Sequence, residues 1–111
     1  METLDAYRTI IRDLIQHYAT FTPARGDVDI EVIIDPTNDH FELMYSGWNG
    51  YYRIHGSVLH IDIRGGKVWI QYDGTDIGIA DELVAAGIPH EHIVLAFKSP
   101  DVRPYTDFAV A

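Results

Sequence analysis

Leu4, Tyr7, Ile11, Leu14, Tyr18 and Phe21 recur at intervals of three and four residues, Ile10 and Ile15 widen the stripe, and Asp5, Arg8, Arg12, Asp13 and Gln16 fill the other side. That spacing matches the 3.6-residue turn of an α-helix and predicts an amphipathic helix over about residues 3 to 20, its apolar side covering a sheet. Thr3 is the expected N-cap, Asp5 suits the positive end of the helix dipole, and Pro23 with Gly26 ends the element.

From Val28 the period shortens to two. Val28, Ile30, Val32 and Ile34 alternate with Asp29, Glu31, Ile33 and Asp35; beyond the turn Asp35-Pro36-Thr37-Asn38-Asp39, Phe41, Leu43 and Tyr45 alternate with Glu42, Met44 and Ser46. Such alternation describes strands with one buried side. Placing Asp35 opposite His40 sets Ile34 against Phe41, Val32 against Leu43 and Ile30 against Tyr45, so the apolar faces coincide. Asn49-Gly50 is a strong hairpin signal, and closing it with Trp48 opposite Tyr51 sets Tyr45 against Ile54 and Phe41 against Val58.

The stretch from Tyr51 to Thr75 reads as two strands joined at Gly65-Gly66. Arg64 then faces Lys67, Ile63 faces Val68, Ile61 faces Ile70 and Leu59 faces Tyr72, while Asp62 with Trp69 and His60 with Gln71 lie on the other face. A slip of one residue would turn every apolar pair outward. Ile54 and Val58 share a phase that Leu59, Ile61 and Ile63 do not, and a β-bulge between Gly56 and Leu59 reconciles the halves. The far face would carry Glu31, Met44, Arg53, His55, His60, Asp62, Trp69 and Gln71; Met44 and Trp69 there suggest solvent exposure or a subunit contact.

Gly74-Thr75-Asp76 supplies a turn and an N-cap for a helix of about ten residues built on Ile79, Ala80, Leu83 and Val84 and stopped by Gly87 and Pro89. Ile93 to Phe97 reads as an extended segment. Pro100 to Ala111 carries Val102, Tyr105, Phe108 and Val110, enough apolar surface for the tail to dock on its own domain or on a second copy. The expected architecture is α+β: a four-stranded antiparallel meander packed by the N-terminal helix, with a short second helix and a docked C-terminal tail.

The composition narrows the function. A chain of 111 residues with 47% apolar content is expected to form one domain over residues 1–111. Eight Lys and Arg against seventeen Asp and Glu leave a net charge of −9, which repels a phosphate backbone. The absence of cysteine excludes disulfide and thiolate chemistry. The start, with Glu2 and Asp5 and no apolar run, does not read as a signal peptide, and the run Ile93 to Phe97 is far short of a membrane span, so a cytoplasmic location is expected.

Candidate chemistry is sparse. His90-Glu91-His92 offers two imidazoles and a carboxylate, but on a helix the two rings would point about 200° apart, and a solvated turn is the better reading. His40, His55 and His60, with Asp35 and Asp62 near them in the sheet, could form His-carboxylate pairs; Ser46 and Ser57 lack an elbow motif, so cross-strand hydrogen bonding is favoured over catalysis. His17 is placed to meet the last helical carbonyls. Gly74-Thr75-Asp76-Ile77-Gly78 precedes a helix, yet it lacks GxGxxG and carries acids that would repel a phosphate. No catalytic, metal or cofactor site is expected.

The segments KVWIQYDGT, DIGIADELVAAGIPHEHIVLAF and VRPYTDFAVA, with the helical start YRTIIRDLIQHYA, resemble the XisI family, the fdxN-element excision controlling factors. The resemblance covers nearly the whole chain. It implies a small cyanobacterial-type α+β protein linked to site-specific excision of a DNA element, acting beside XisH, a nuclease-like partner, and a separate recombinase; it does not imply catalysis. The acidic charge suits a protein partner better than DNA. An accessory factor binding an XisH-like protein, as a homodimer, is therefore expected, with Met44, Trp48, Trp69, Arg103, Tyr105 and Phe108 as candidate partner or dimer contacts. Two alternatives are a DNA-contacting factor using Arg8, Arg12, Arg25 and Arg64, and a small enzyme using His55, His60 and Asp62.

Overall fold

The apolar stripe at the start forms the helix its period requires. In the computed structural model, which describes residues 2–21 and 26–111, α1 spans Glu2–Tyr18 and buries Tyr7, Ile11 and Ile15 against a sheet. Burial of each such side chain contributes roughly 2 kcal/mol, more than a helix of this length gains from propensity, so the sheet holds α1 in place. Thr3 lies inside the first turn rather than capping it. Pro23 and Arg25 lie outside the described residues. Arg8 fixes the helix from its polar side: Nε donates to Asp39 Oδ1 at 2.6 Å and an Nη to Asp39 Oδ2 at 3.1 Å, while the other Nη reaches Asp5 at 2.6 Å.

The sheet has five strands in the order β1-β2-β3-β4-β5, namely Asp27–Asp35, His40–Asn49, Tyr52–Arg64, Lys67–Asp73 and Ile93–Leu95. The first four form the expected antiparallel meander. The fifth corrects the expected strand count: Val68, Trp69 and Ile70 pair with Ile93, Val94 and Leu95 in parallel. Parallel neighbours need a crossover, and α2 (Ala80–Ala85) lies in the connection. All of β5 is buried, because the tail covers its outer edge through a Val94–Ala109 bridge and an Ala109 N–H donating to Ile93 O at 2.8 Å.

The β1–β2 register follows the sequence pattern, with Asp35 opposite His40, Ile34 opposite Phe41, Val32 opposite Leu43 and Ile30 opposite Tyr45. At the next hairpin Asn49 pairs with Tyr52, so Gly50 and Tyr51 make the turn. Gly50 has φ +62°, which suits the turn type that takes Gly first. Trp48 thus faces Arg53 instead of Tyr51, Tyr45 faces Gly56 instead of Ile54, and Phe41 faces Ile61 instead of Val58. Before the bulge this is a slip of two residues along β3, and an even slip leaves inward residues inward. The bulge expected between Gly56 and Leu59 falls at Val58, since Met44 pairs with Ser57 and Leu43 with Leu59.

The Gly65-Gly66 turn has positive φ at both residues and holds Arg64, Ile63, Asp62 and Ile61 in the expected register. Beyond that a second bulge intervenes at Gln71: His60 pairs with Tyr72 rather than Gln71, and Leu59 with Asp73 rather than Tyr72. Asp73 then organises the next connection. Its Oδ1 accepts from the Thr75 N–H at 3.0 Å and hydroxyl at 2.6 Å, and its Oδ2 accepts from the Ile79 N–H at 2.8 Å. Neither Thr75 nor Asp76 caps α2, whose N-cap position is Ile79 with no side-chain cap; Asp73 instead holds the loop that leads into it. Gly78 at φ +79° delays the helix, so α2 is shorter than expected.

The tail docks on its own chain. Phe108 packs against the core, and the Arg103 guanidinium reaches the carbonyls of Lys98 at 3.0 Å, Ala96 at 3.3 Å and Val110 at 3.3 Å. No helix among the described residues is long and apolar enough to cross a membrane.

Candidate partner-binding face

With α1 on one side of the sheet, registers fix what the other side presents. Outward along β2 run His40, Glu42, Met44, Ser46 and Trp48; along β3, Arg53, His55 and Ser57 precede the Val58 bulge, and His60, Asp62 and Arg64 follow it. Trp69 projects from β4 opposite Asp62.

At one end of this face Trp48 is half exposed under the Arg53 guanidinium, 5.2 Å from ring centre to Cζ. Arg53 is held by Gly47 O at 3.2 Å and Ser46 Oγ at 3.3 Å. Met44 is half-buried between the two ends. Trp69 donates through Nε1 to Arg64 O at 3.3 Å, and Arg103 lies 5.7 Å from its ring centre. Of the six candidate contacts, then, Met44, Trp48, Trp69 and Arg103 gather on or beside this face. Tyr105 stands 90% exposed on the tail, and Phe108 is committed to the chain's own core.

The other end is polar. Asp62 is buried, and its carboxylate is surrounded by donors: His40 Nδ1 at 3.0 Å and His60 Nε2 at 3.2 Å from Oδ1, Arg64 at 3.1 Å and Gln71 Nε2 at 3.4 Å from Oδ2. Glu42 Oε1 meets His40 Nε2 at 3.1 Å, and the two imidazole centres are 4.5 Å apart. Burial of a carboxylate is costly unless its lone pairs are used, and here each oxygen has two partners. The sequence placed His60, Asp62 and Gln71 on this face and set His40 near Asp62 as a possible His-carboxylate pair, but it did not join Glu42 to them or gather the five into one cluster. A cue was present in the outward alternation of His40 with Glu42, and its meaning depended on a register set by the Gly50 turn and the Val58 bulge.

The remaining candidates separate. His55 stands opposite Ser46 across the bulge, Asp35 accepts from Thr37 and Asn38 in its own turn, and the Ser57 hydroxyl donates to Leu59 O. The Asn38 side-chain amide holds the Asp35 carboxyl below its usual range, with the local backbone N–H groups adding to this. His90 and His92 serve different neighbours, His90 lying against Phe108 and His92 Nδ1 meeting Tyr7 Oη at 2.6 Å. The described arginines of the DNA-contact alternative all lie within 4 Å of a carboxylate: Arg8 at Asp5 and Asp39, Arg12 at Asp13, Arg64 at Asp62.

Behind the sheet, a cleft of about 550 Å³ lies between the end of α1 and the 74–77 loop, lined by His17, Tyr18, Phe21, Tyr45, Val58 and Glu82 among others. The His17 ring packs edge-on against Phe21 at 5.0 Å, a contact in place of the carbonyls expected for it. Tyr18 Oη donates to Glu82 Oε2 at 2.7 Å. Burial, then the Glu82 carboxylate, push the Tyr18 phenol up to about 12 from 10.0. The folded state therefore keeps a proton that the unfolded chain gives up, so this group's stabilisation is present below pH 10.0 and lost as pH rises through about 12. Absorbance titration of phenolate should show a component near pH 12 that Tyr18→Phe removes.

A helix-backed, five-stranded sheet with one open face of mixed aromatic and polar groups defines a small α+β protein. The chain belongs to the XisI family, whose model, described as XisI protein, matches residues 1–110. It is similar to the crystal structure of a XisI-like protein from Anabaena variabilis ATCC 29413, with 40% identity, a TM-score of 0.89 and coverage of 95% of this chain and 96% of that one. It is also similar to the fdxN element excision controlling factor XisI from the same organism, with 35% identity, a TM-score of 0.85 and coverage of 98% of this chain and 99% of that one. No curated protein matches the chain.

Proposed function

We propose that this chain is an accessory factor controlling site-specific excision of a DNA element, and that it acts by binding an XisH-like, nuclease-like protein rather than by catalysis. The observation that carries the reading is the 35% identity to an fdxN element excision controlling factor over 98% of this chain. The outward sheet face supports protein binding as the mode. Met44, Trp48 and Trp69 offer the aromatic and sulfur-bearing contacts favoured at interfaces, and Arg53 and Arg103 sit over the two indoles. A net charge of −9 suits a basic protein surface and opposes a phosphate backbone. The single domain works in the cytoplasm as a homodimer, with Tyr105 on the exposed tail as a further contact.

Light scattering of the purified chain, alone and mixed with an XisH-like protein at low micromolar concentration, tests this. The expected result is a dimer alone and a larger complex with the XisH-like protein. A mixture that scatters as two independent species contradicts the partner assignment.

A further inference from the structure

The polar end of the outward face holds a constellation that protein docking leaves unused. We propose that His40, His60 and Asp62 form a three-ligand site for a divalent transition ion of the zinc type. His40 Nδ1 and His60 Nε2 converge on the same carboxylate oxygen, Asp62 Oδ1, at 3.0 and 3.2 Å, and the three ligand atoms all lie within 4.8 Å of one another. Metal–ligand bonds of about 2.0–2.1 Å at tetrahedral angles separate ligand atoms by roughly 3.3–3.4 Å. The two imidazole–carboxylate separations fall a few tenths of an ångström short of that spacing, as hydrogen bonds do where a metal would sit between them.

The surroundings are those of a supported site. Metal-bound imidazoles are oriented by a carboxylate on their second nitrogen, and Glu42 Oε1 stands 3.1 Å from His40 Nε2. Arg64 and Gln71 hold Asp62 Oδ2 at 3.1 and 3.4 Å, which turns Oδ1 toward the imidazoles. All three ligands stand on neighbouring strands, with His40 directly opposite Asp62 and Glu42 directly opposite His60. Phe41 and Ile61, fully or almost fully buried on the inward face, anchor those strands from behind. The ligands remain reachable, His40 and His60 side chains being 33% and 29% exposed and that of Asp62 7%. Two imidazoles and one carboxylate suit zinc, cobalt or nickel, whereas magnesium and calcium favour all-oxygen shells. The site would leave at least one coordination position open to solvent, and it clips β2 to β3 whether or not the partner assignment holds.

The competing reading is a hydrogen-bonded cluster with no ion. Chelator-treated full-length chain should be titrated with zinc chloride by calorimetry and with cobalt chloride by visible absorption. The expected result is one saturable equivalent and a cobalt spectrum of low coordination number. His40→Ala and His60→Ala should each weaken binding more than about 100-fold, and Glu42→Gln about 10-fold. His90→Ala and His92→Ala should bind as the parent does. Absence of a saturable equivalent, or binding unchanged by His40→Ala and His60→Ala, overturns the proposal. If those variants unfold, imidazole resonances of the unsubstituted chain decide: zinc should shift His40 and His60, and shifts confined to His17, His55, His90 or His92 overturn it.

Discussion

Phe41→Ala is expected to lower the unfolding free energy by about 3–5 kcal/mol, which for a chain of this size is on the order of 15 °C in Tm. Phe41 is 1% exposed at the middle of the sheet, between Ile34 on β1 and Ile61 on β3, in the same core as Ile11 and Ile15 of α1. The surrounding strands are hydrogen-bonded on both sides and cannot close over the space, so lost burial and a residual cavity both contribute. Tyr51→Ala is the control. Tyr51 is fully exposed at the Gly50 turn, and its truncation should change stability by no more than about 0.5 kcal/mol. Denaturant unfolding followed by tryptophan fluorescence measures both. A loss below about 1 kcal/mol for Phe41→Ala would show that the core is not centred on β2.

The second large effect comes from a glycine that has no room to be anything else. A Cβ on Gly47 would lie 2.0 Å from the Asp27 carbonyl oxygen and 2.8 Å from Val28 Cα. Both are backbone atoms of the strand paired with it, so neither can move aside by changing a rotamer. Gly47→Ala should cost about 2–3 kcal/mol and do so locally, by detaching the start of β1. Amide exchange should accelerate over residues 27–30 and stay slow in β3 and β4. Gly56→Ala provides the contrast: nothing lies within 4 Å of its Cβ position, and alanine there should be neutral or stabilise by about 0.5 kcal/mol. Equal losses at the two positions would contradict the close β1–β2 approach.

What the sequence revealed and withheld can be traced to particular residues. The β1–β2 register was legible because the apolar alternation of Val28 to Ile34 and of Phe41 to Tyr45 agreed with a turn whose Asp35 binds its own backbone. The Val58 bulge was legible because Ile54 and Leu59 stand in opposite phases within one strand, a conflict the core does not tolerate. The Gln71 bulge gave no such warning. Gln71 and Tyr72 accept either face, since one is polar and the other amphipathic, so the hydrophobic pattern kept its apparent phase while the pairing shifted. Asn49-Gly50 misled for a related reason: glycine suits either central position of a tight turn, and the choice moved β3 by two residues.

The ambiguity of the Asn49-Gly50 turn explains why the polar cluster was not assembled from the sequence. The face of each histidine could be read from alternation, but its cross-strand neighbour could not, and His40 meets Asp62 only with both the turn and the Val58 bulge correctly placed. β5 was hidden differently. Three buried residues carry no period, and their strand character comes from β4 on one side and the tail on the other. The proposed partner came from resemblance, because an outward face with Trp48 and Trp69 carries no mark of what would cover it.

Hydroxyl-radical footprinting of the chain, alone and mixed with an XisH-like protein at saturating concentration, tests the proposed docking face most directly, since it reads the solvent access of single side chains. Reduced oxidation of Met44, Trp48 and Trp69 in the complex, with Phe21 and Tyr18 at the rear cleft unchanged, is the expected result. Protection confined to Phe21 and Tyr18, with the outward face oxidised as in the free chain, would contradict it.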